Sequence, residues 1–133
     1  IVTLDISAYR KNGRVIRFHP KKAFAALDYS DTDFIAHQAM PSDRYIDLTL
    51  PTDGGSITSP ADGYFYFSKD STATGQRVRL YNYTNTMCVV SWSSGTQNLE
   101  VCLPVSKGDV VRTVYSAGGK TNAFRFIYAN GAK

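Results

Sequence analysis

The chain has 133 residues and a mass of 14.7 kDa, which fits one domain or one domain with an appendage. A hydrophobic fraction of 43% with 20% charged residues excludes a largely disordered chain, and no apolar run approaches the roughly 20 residues that span a bilayer. Nine tyrosines and seven phenylalanines, with Glu100 as the only glutamate, favour strands over helices. Because the chain begins at Ile1 rather than Met, we expect it to be excised from a longer polypeptide.

The net charge of +4 is unevenly distributed along the chain. Residues 1–22 carry six basic residues and one acidic residue, a charge of +5, whereas residues 23–133 carry nine basic and ten acidic residues, a charge of −1. Asn12-Gly13 is a strong hairpin signal, so residues 1–30 are predicted to form a basic β-hairpin that serves for attachment. Too few aromatic residues accompany these charges for nucleic-acid stacking, so contact with an acidic protein element is favoured.

A short helix and seven strands are predicted after residue 30. Asp31 or Thr32 can cap a helix that continues to Gln38. The predicted strands cover residues 45–50, 64–68, 76–83, 87–93, 99–105, 110–115 and 123–129. Turn residues separate them at the spacing of about 8–12 residues that is typical of antiparallel sandwiches and barrels. The predicted fold class is all-β, an antiparallel β-sandwich that fits a jelly roll if the N-terminal part adds a strand, with one short helix.

Strand alternation predicts which side chains face the core. With Phe65, Phe67, Val78 and Leu80 assigned inward, four tyrosines on the same strands point outward. An outward aromatic row favours an oligomer interface, and stacking on sugar rings or simple β-propensity are the other interpretations. These outward residues are Tyr64, Tyr66, Tyr81 and Tyr83.

The segment 87–93 is the most continuously apolar part of the chain and is predicted to be a buried strand. Trp92 is the best single stacking candidate for a glycan, although a position in the core is favoured for it. Cys88 and Cys102 are predicted to be free and mostly buried thiols. A disulfide between them remains open if the two strands pair about Gly95.

Signatures of catalysis are missing from the sequence, which has no GxSxG elbow, no P-loop and no dinucleotide-binding glycine motif. His37 has no nucleophile near it in sequence, and Asp31-x-Asp33 lacks the other ligands of a calcium loop. Turn chemistry explains Asp53, Asp62 and Asp109. We therefore expect no enzymatic activity, no metal and no cofactor.

Five segments carry a family resemblance: DFIA (33–36), MPSDRYIDLTL (40–50), SPADGYF (59–65), LPVSKGD (103–109) and NAFRFIYA (122–129). They resemble the C-terminal knob domains of phage tail-fibre and head-fibre proteins, which are trimeric jelly rolls similar to tumour-necrosis-factor and C1q-like domains. The resemblance covers residues 31–131 and implies a jelly-roll knob over residues 31–133. Residues 1–30 are then expected to meet another virion fibre protein.

The resemblance implies a non-enzymatic homotrimer at the tip of a bacteriophage fibre, where it binds a host surface glycan or protein receptor. The expected location is the extracellular virion, after synthesis in the host cytoplasm, without nucleic-acid binding or membrane insertion. A structural decoration or head-fibre protein without a receptor, and a monomeric carbohydrate-binding module, are the alternatives. The candidate ligand-binding residues are Trp92, Tyr81, Tyr83 and Asn85, and the candidate trimer-interface residues are Tyr64, Tyr66, Tyr115 and Tyr128.

Overall fold

The structure is a computed structural model and describes residues 32–132. The predicted basic hairpin at residues 1–30 and the alternative helix cap Asp31 lie outside the described residues. Within the described range, one helix precedes eight strands, and the strands belong to a unit that begins at His37. The elements are α1 (Thr32–Ala39), β1 (Pro41–Asp47), β2 (Ser56–Thr58), β3 (Gly63–Asp70), β4 (Thr74–Asn82), β5 (Cys88–Ser94), β6 (Asn98–Val105), β7 (Val110–Tyr115) and β8 (Thr121–Ala129).

The eight strands form two four-stranded sheets in which every pairing is antiparallel. One sheet has the order β1-β8-β3-β6 and the other has the order β2-β7-β4-β5. Successive strands therefore change sheets at every connection except the β4–β5 hairpin, which is the strand order of a jelly roll. The predicted all-β sandwich is confirmed. Its eighth strand is the three-residue β2, which the sequence pattern did not reveal.

The core lies between the sheets and is built from alternate residues of the strands. On β8, Phe124 and Phe126 have the same orientation as the inward residues of β3. The ring of Phe65 contacts Phe126 edge-on with centroids 5.2 Å apart and is stacked near Phe124 at 6.1 Å. Burying each such ring contributes about 1.5–3 kcal/mol. The residues predicted to face inward are fully buried, as expected: Phe65, Phe67, Val78 and Leu80.

The prediction of a buried strand at residues 87–93 is wrong. β5 pairs only with β4 and is the edge of its sheet, and its exposure alternates along the strand. Val90 is 44% exposed and Trp92 is 57% exposed, so the core position favoured for the tryptophan is wrong as well. Residues 87–93 form the most continuously apolar segment because the outward face of β5 carries apolar residues as well as the inward face.

The two cysteines are free, as predicted, but both are exposed rather than buried. A pairing of their strands about Gly95 does not occur, because β5 and β6 lie in different sheets. Cys88 lies opposite Tyr81 on β4, and Cys102 lies opposite Tyr66 on β3. The two thiols are therefore on opposite outer faces of the sandwich.

Two element boundaries differ slightly from the prediction. α1 ends at Ala39, one residue after the predicted end. β1 begins at Pro41 and ends at Asp47, earlier at both ends than the predicted strand. Leu48 and Leu50 follow the strand and still pack against the core, so the alternation that suggested a strand reflects real burial.

Candidate functional site

The outer face of the β1-β8-β3-β6 sheet is rich in tyrosine, and we name it the tyrosine face. Strand register places Tyr45, Ile127 and Tyr64 side by side on three neighbouring strands. The next row begins with Asp47 and continues through Arg125 and Tyr66. The tyrosine face consists of Tyr45, Tyr64, Tyr66, Cys102, Pro104, Arg125 and Ile127, with Asp47 and Glu100 as its carboxylates.

The hydroxyl groups of both β3 tyrosines on this face have intramolecular partners. Tyr64 donates to the main-chain carbonyl of Ala39, at the end of α1. Tyr66 donates to Oε1 of Glu100 at 3.0 Å, and Asn98 donates to the other carboxylate oxygen at 2.6 Å. Desolvation, followed by the hydrogen bond to Glu100, raises the pKa of Tyr66 above its ordinary value. These bonds hold the two rings in fixed positions on the sheet.

Arg125 is the cation within the tyrosine face, and its charge is compensated on the same face. Its Nε lies 3.2 Å from Oδ1 of Asp47, an ion pair whose angle is too poor for a hydrogen bond. The guanidinium carbon lies 4.3 Å from the centre of the Tyr45 ring. This is the one ion pair within 4.0 Å among the described residues. The tyrosine face therefore has no uncompensated charge at its middle.

Tyr115 and Tyr128 do not lie on the tyrosine face with the other two predicted interface residues. Both have the strand parity of the buried residues and pack partly buried against the core. The Tyr115 ring contacts Phe67 edge-on at 5.7 Å, and the Tyr128 ring contacts Phe126 edge-on at 5.1 Å. Their rings thus contribute to packing within the sandwich, and their part in a trimer interface stays a prediction.

The outer face of the β2-β7-β4-β5 sheet carries three arginines among aromatic and aliphatic side chains, and we name it the arginine face. Trp92 of β5 lies opposite Arg77 of β4, and Val90 lies opposite Arg79. On the other side of β4, Tyr81 lies opposite Arg112 of β7. The arginine face consists of Arg77, Arg79, Tyr81, Tyr83, Cys88, Val90, Trp92, Arg112 and Val114.

Two of these arginines stack on aromatic rings. The guanidinium carbon of Arg77 lies 5.3 Å from the centre of a Trp92 ring, and that of Arg79 lies 5.1 Å from the centre of the Tyr81 ring. Nε of Arg79 also donates to Sγ of Cys88 at 2.9 Å. A cation–π contact does not use up the N–H groups of a guanidinium, which can still donate to a further acceptor.

The third arginine is fixed beside Tyr83. Nη1 of Arg112 donates to the Tyr83 hydroxyl at 3.1 Å, and its Nε donates to the carbonyl of Gly54 at 3.1 Å. Tyr83 is 47% exposed and meets Tyr81 edge-on with centroids 5.2 Å apart. The arginine face therefore has a defined side-chain arrangement from the Trp92 row to Tyr83.

Asn85 lies beyond the end of this face, in the turn that joins β4 to β5. Its side-chain oxygen accepts a hydrogen bond from the main-chain amide of Met87 at 2.9 Å. Thr86, between them, has a left-handed φ of 62°. The structure thus brings three of the four predicted ligand residues onto one face and gives Asn85 a role in shaping the turn.

Arg77, Arg79 and Arg112 were not singled out from the sequence. A signal was present, because Arg77, Arg79 and Tyr81 alternate along one predicted strand and must share a face. The charge of −1 over residues 23–133 obscured it, since a sum over the chain does not separate one face of the sandwich from the other.

The aspartates of the turns have structural roles, as predicted. Asp53, Asp62 and Asp109 each accept a hydrogen bond from a main-chain amide, at 2.8, 2.8 and 2.9 Å respectively. Within residues 32–132, no group of three or more His, Cys, Asp or Glu side chains is arranged to hold a metal ion. No helix in the same range has the length and hydrophobicity needed to span a bilayer.

Comparison of the chain with family models, curated proteins and solved structures finds no match. A jelly roll by itself specifies no function, because one architecture supports many unrelated activities. The two outer faces are therefore the features from which a function is inferred.

Proposed function

We propose that this domain is a non-enzymatic, homotrimeric receptor-binding tip of a bacteriophage fibre and that it binds a host-surface glycan. The observation that carries the proposal is the difference between the two outer faces of one sandwich. One face is tyrosine-rich and pairs its arginine with Asp47, and the other combines aromatic rings with three arginines. Such a domain can self-associate through the first face and bind a ligand through the second. The phage origin rests on the resemblance of the five sequence segments.

The tyrosine face supports the trimer. Tyr45 is 50% exposed, and it continues into a row with Ile127 and Tyr64. Contiguous exposed apolar side chains of this kind mark interaction surfaces, and a closed cyclic oligomer covers the same patch on every subunit. The pairing of Arg125 with Asp47 reduces the cost of burying this face, because a paired charge is far less costly to desolvate than an unpaired one.

The arginine face supports ligand binding. Trp92 projects from the edge strand as the most exposed large hydrophobic side chain of the described residues. Aromatic side chains with a large apolar area and defined geometry are suited to stacking on a ligand ring. Three identical sites on one trimer convert weak individual binding into strong attachment to a surface that carries many copies of the ligand.

Light scattering tests the trimer. A mass near three times 14.7 kDa is expected for the unmodified chain. Ile127→Arg places an unpaired charge in the middle of the tyrosine face and should yield the monomer, and the milder Tyr45→Ser should weaken the trimer. Val90→Arg, on the arginine face, adds the same charge and should leave the mass unchanged. Circular dichroism establishes that each variant is folded.

A folded monomer in the unmodified chain at micromolar concentration would contradict the trimer and favour the monomeric carbohydrate-binding module. A glycan array tests the ligand, and Trp92→Ala should reduce binding while the trimer persists. A trimer that binds no glycan would contradict the receptor-binding role and favour the structural decoration protein.

A further inference from the structure

We infer that the arginine face binds an extended anionic polysaccharide, one that carries carboxylate or phosphate groups. The inference rests on the proposed glycan-binding function and extends it by specifying the chemistry of the ligand. It is carried by the charge of this face, by the way its guanidinium groups are held, and by its length.

The acidic residues of the strands all lie in one of the two sheets. The four strands of the β2-β7-β4-β5 sheet contain no Asp or Glu and three arginines. The strands of the other sheet balance three basic residues with four acidic ones, which are Asp43, Asp47, Asp70 and Glu100. The one ion pair of residues 32–132 is on that other sheet, so none of the three arginines is neutralised by a described carboxylate. An anion is the partner that complements this face.

The guanidinium groups are held in place before any ligand arrives. The Arg77 guanidinium lies over Trp92, and that of Arg79 lies over Tyr81 while its Nε donates to Cys88. Among the described residues, no hydrogen bond occupies the Nη groups of Arg79 or the guanidinium N–H groups of Arg77, so they can form paired hydrogen bonds to a carboxylate or a phosphate. Because the arginines are already ordered, less side-chain entropy is lost when an anion binds.

The length of the face matches an extended chain rather than a single sugar. Trp92 lies opposite Arg77, and Tyr83 is six residues further along the chain of β4 and its continuation. At roughly 3.3 Å per residue, the two aromatic side chains are about 20 Å apart, with the arginines between them. A polymer can therefore contact an aromatic side chain at each end and a guanidinium at several positions along its length.

The density of charge favours a polysaccharide over a nucleic acid. A nucleic-acid strand carries one charge about every 3.4 Å, or about six over this face. Three arginines match a polymer with sparser charge. Moreover, the net charge of −1 over residues 23–133 does not provide the general positive field that nucleic-acid-binding domains use.

The test compares polymers that share one backbone: dextran, carboxymethyl dextran and dextran phosphate. We expect the full chain to bind at least one charged form roughly tenfold or more tightly than dextran, and to lose affinity as NaCl concentration rises. The stronger of the two charged forms identifies carboxylate or phosphate as the recognised group. A single-stranded oligothymidylate is measured in parallel.

Two double variants locate the site. Arg77→Gln with Arg79→Gln should reduce binding of the preferred charged dextran roughly tenfold or more. The control, Lys107→Gln with Lys120→Gln, removes the same charge from exposed turns and should change binding less than twofold. Arg79→Lys keeps the charge and loses the planar fork, so it should bind at an intermediate level. Circular dichroism and light scattering confirm that the variants keep the fold and mass of the parent chain.

Four results would overturn the inference. They are equal binding of dextran and the charged forms, no binding of either charged form, equal loss in the two double variants, and tighter binding of oligothymidylate. If the inference fails but neutral glycans bind on the array, the proposed glycan-binding function stands. If no glycan of any charge binds, the proposed receptor function fails with it.

Discussion

Replacing Gly63 with alanine should destabilise the sandwich, because the neighbouring strand β8 approaches this glycine closely. Gly63 begins β3 and pairs with Val105 on one side and Tyr128 on the other. A Cβ at this position would lie 2.2 Å from the carbonyl oxygen of Ile127 and 2.7 Å from the Phe126 ring. Ordinary contacts between carbon and oxygen are about 3.3 Å or longer, so the main chain of β8 would have to move by about 1 Å.

The loss of stability in Gly63→Ala depends on which contacts the movement of β8 would weaken. β8 is held between β1 and β3, so it cannot move without weakening its ladder. Overpacking in a filled core costs about 1–3 kcal/mol, and each weakened hydrogen bond adds about 0.5–1.5 kcal/mol. We expect Gly63→Ala to lower the free energy of unfolding by about 2–4 kcal/mol. Gly95→Ala is the matched control, because its Cβ would meet nothing within 4 Å and its φ is not positive.

Urea unfolding followed by far-ultraviolet circular dichroism measures both changes at equal protein concentration, since self-association also stabilises a fold. With a slope of about 1–3 kcal/mol per molar urea, the midpoint of Gly63→Ala should fall by about 1–2 M. The urea midpoint of Gly95→Ala should remain within a few tenths of a molar unit of the midpoint of the parent chain. A loss of less than about 1 kcal/mol for Gly63→Ala, at an unchanged slope, would refute the close approach of β3 and β8.

Three further outcomes follow from the structure. Asn82→Ala removes the 2.8 Å hydrogen bond to the buried Asp109 carboxylate and should cost about 2–3 kcal/mol in urea unfolding, whereas a cost below about 0.5 kcal/mol would contradict that contact. Because the pKa of Tyr66 is raised above 10.0 in the folded chain, the stability that this shift contributes below pH 10 should decline as the pH rises through the pKa of the folded chain. In Tyr66→Phe, the free energy of unfolding should therefore fall less at alkaline pH. Desolvation raises the pKa of the Cys102 thiol, so in a Cys88→Ser background its alkylation by iodoacetamide should reach half-maximal rate above pH 9.0, and a midpoint below that value would contradict the desolvation of the thiol.

The core could be predicted from the sequence because strand alternation is a local property. Phe65 and Phe67 are separated by one residue, and any extended strand places them on the same side. The same rule fails at β5, where both faces carry apolar residues and the sequence does not indicate which strands cover them. β2 was missed because three residues give too short a pattern to distinguish a strand from a loop.

The candidate site could be predicted only in part, because its assembly depends on pairing between distant strands. Tyr81 and Trp92 were identified as outward or stacking residues, but their common face is created by the β4–β5 register. Tyr115 and Tyr128 follow the parity of their buried neighbours, so applying the alternation rule to β7 and β8 would have placed them on the inner side of the strands. Arg112 joins the site from a strand thirty residues away, through pairing that the sequence does not reveal.

The strand order of a jelly roll explains how a nearly neutral sandwich acquires a cationic face. β3 and β4 are consecutive in sequence and lie in opposite sheets, so Asp70 and Arg77 are separated although they are seven residues apart. The same holds for Glu100 of β6 and Arg112 of β7. These two changes of sheet separate an acidic residue from an arginine of the next strand. A charge of −1 over residues 23–133 is thus compatible with three neighbouring arginines that have no carboxylate partner among residues 32–132, and only the topology makes them neighbours.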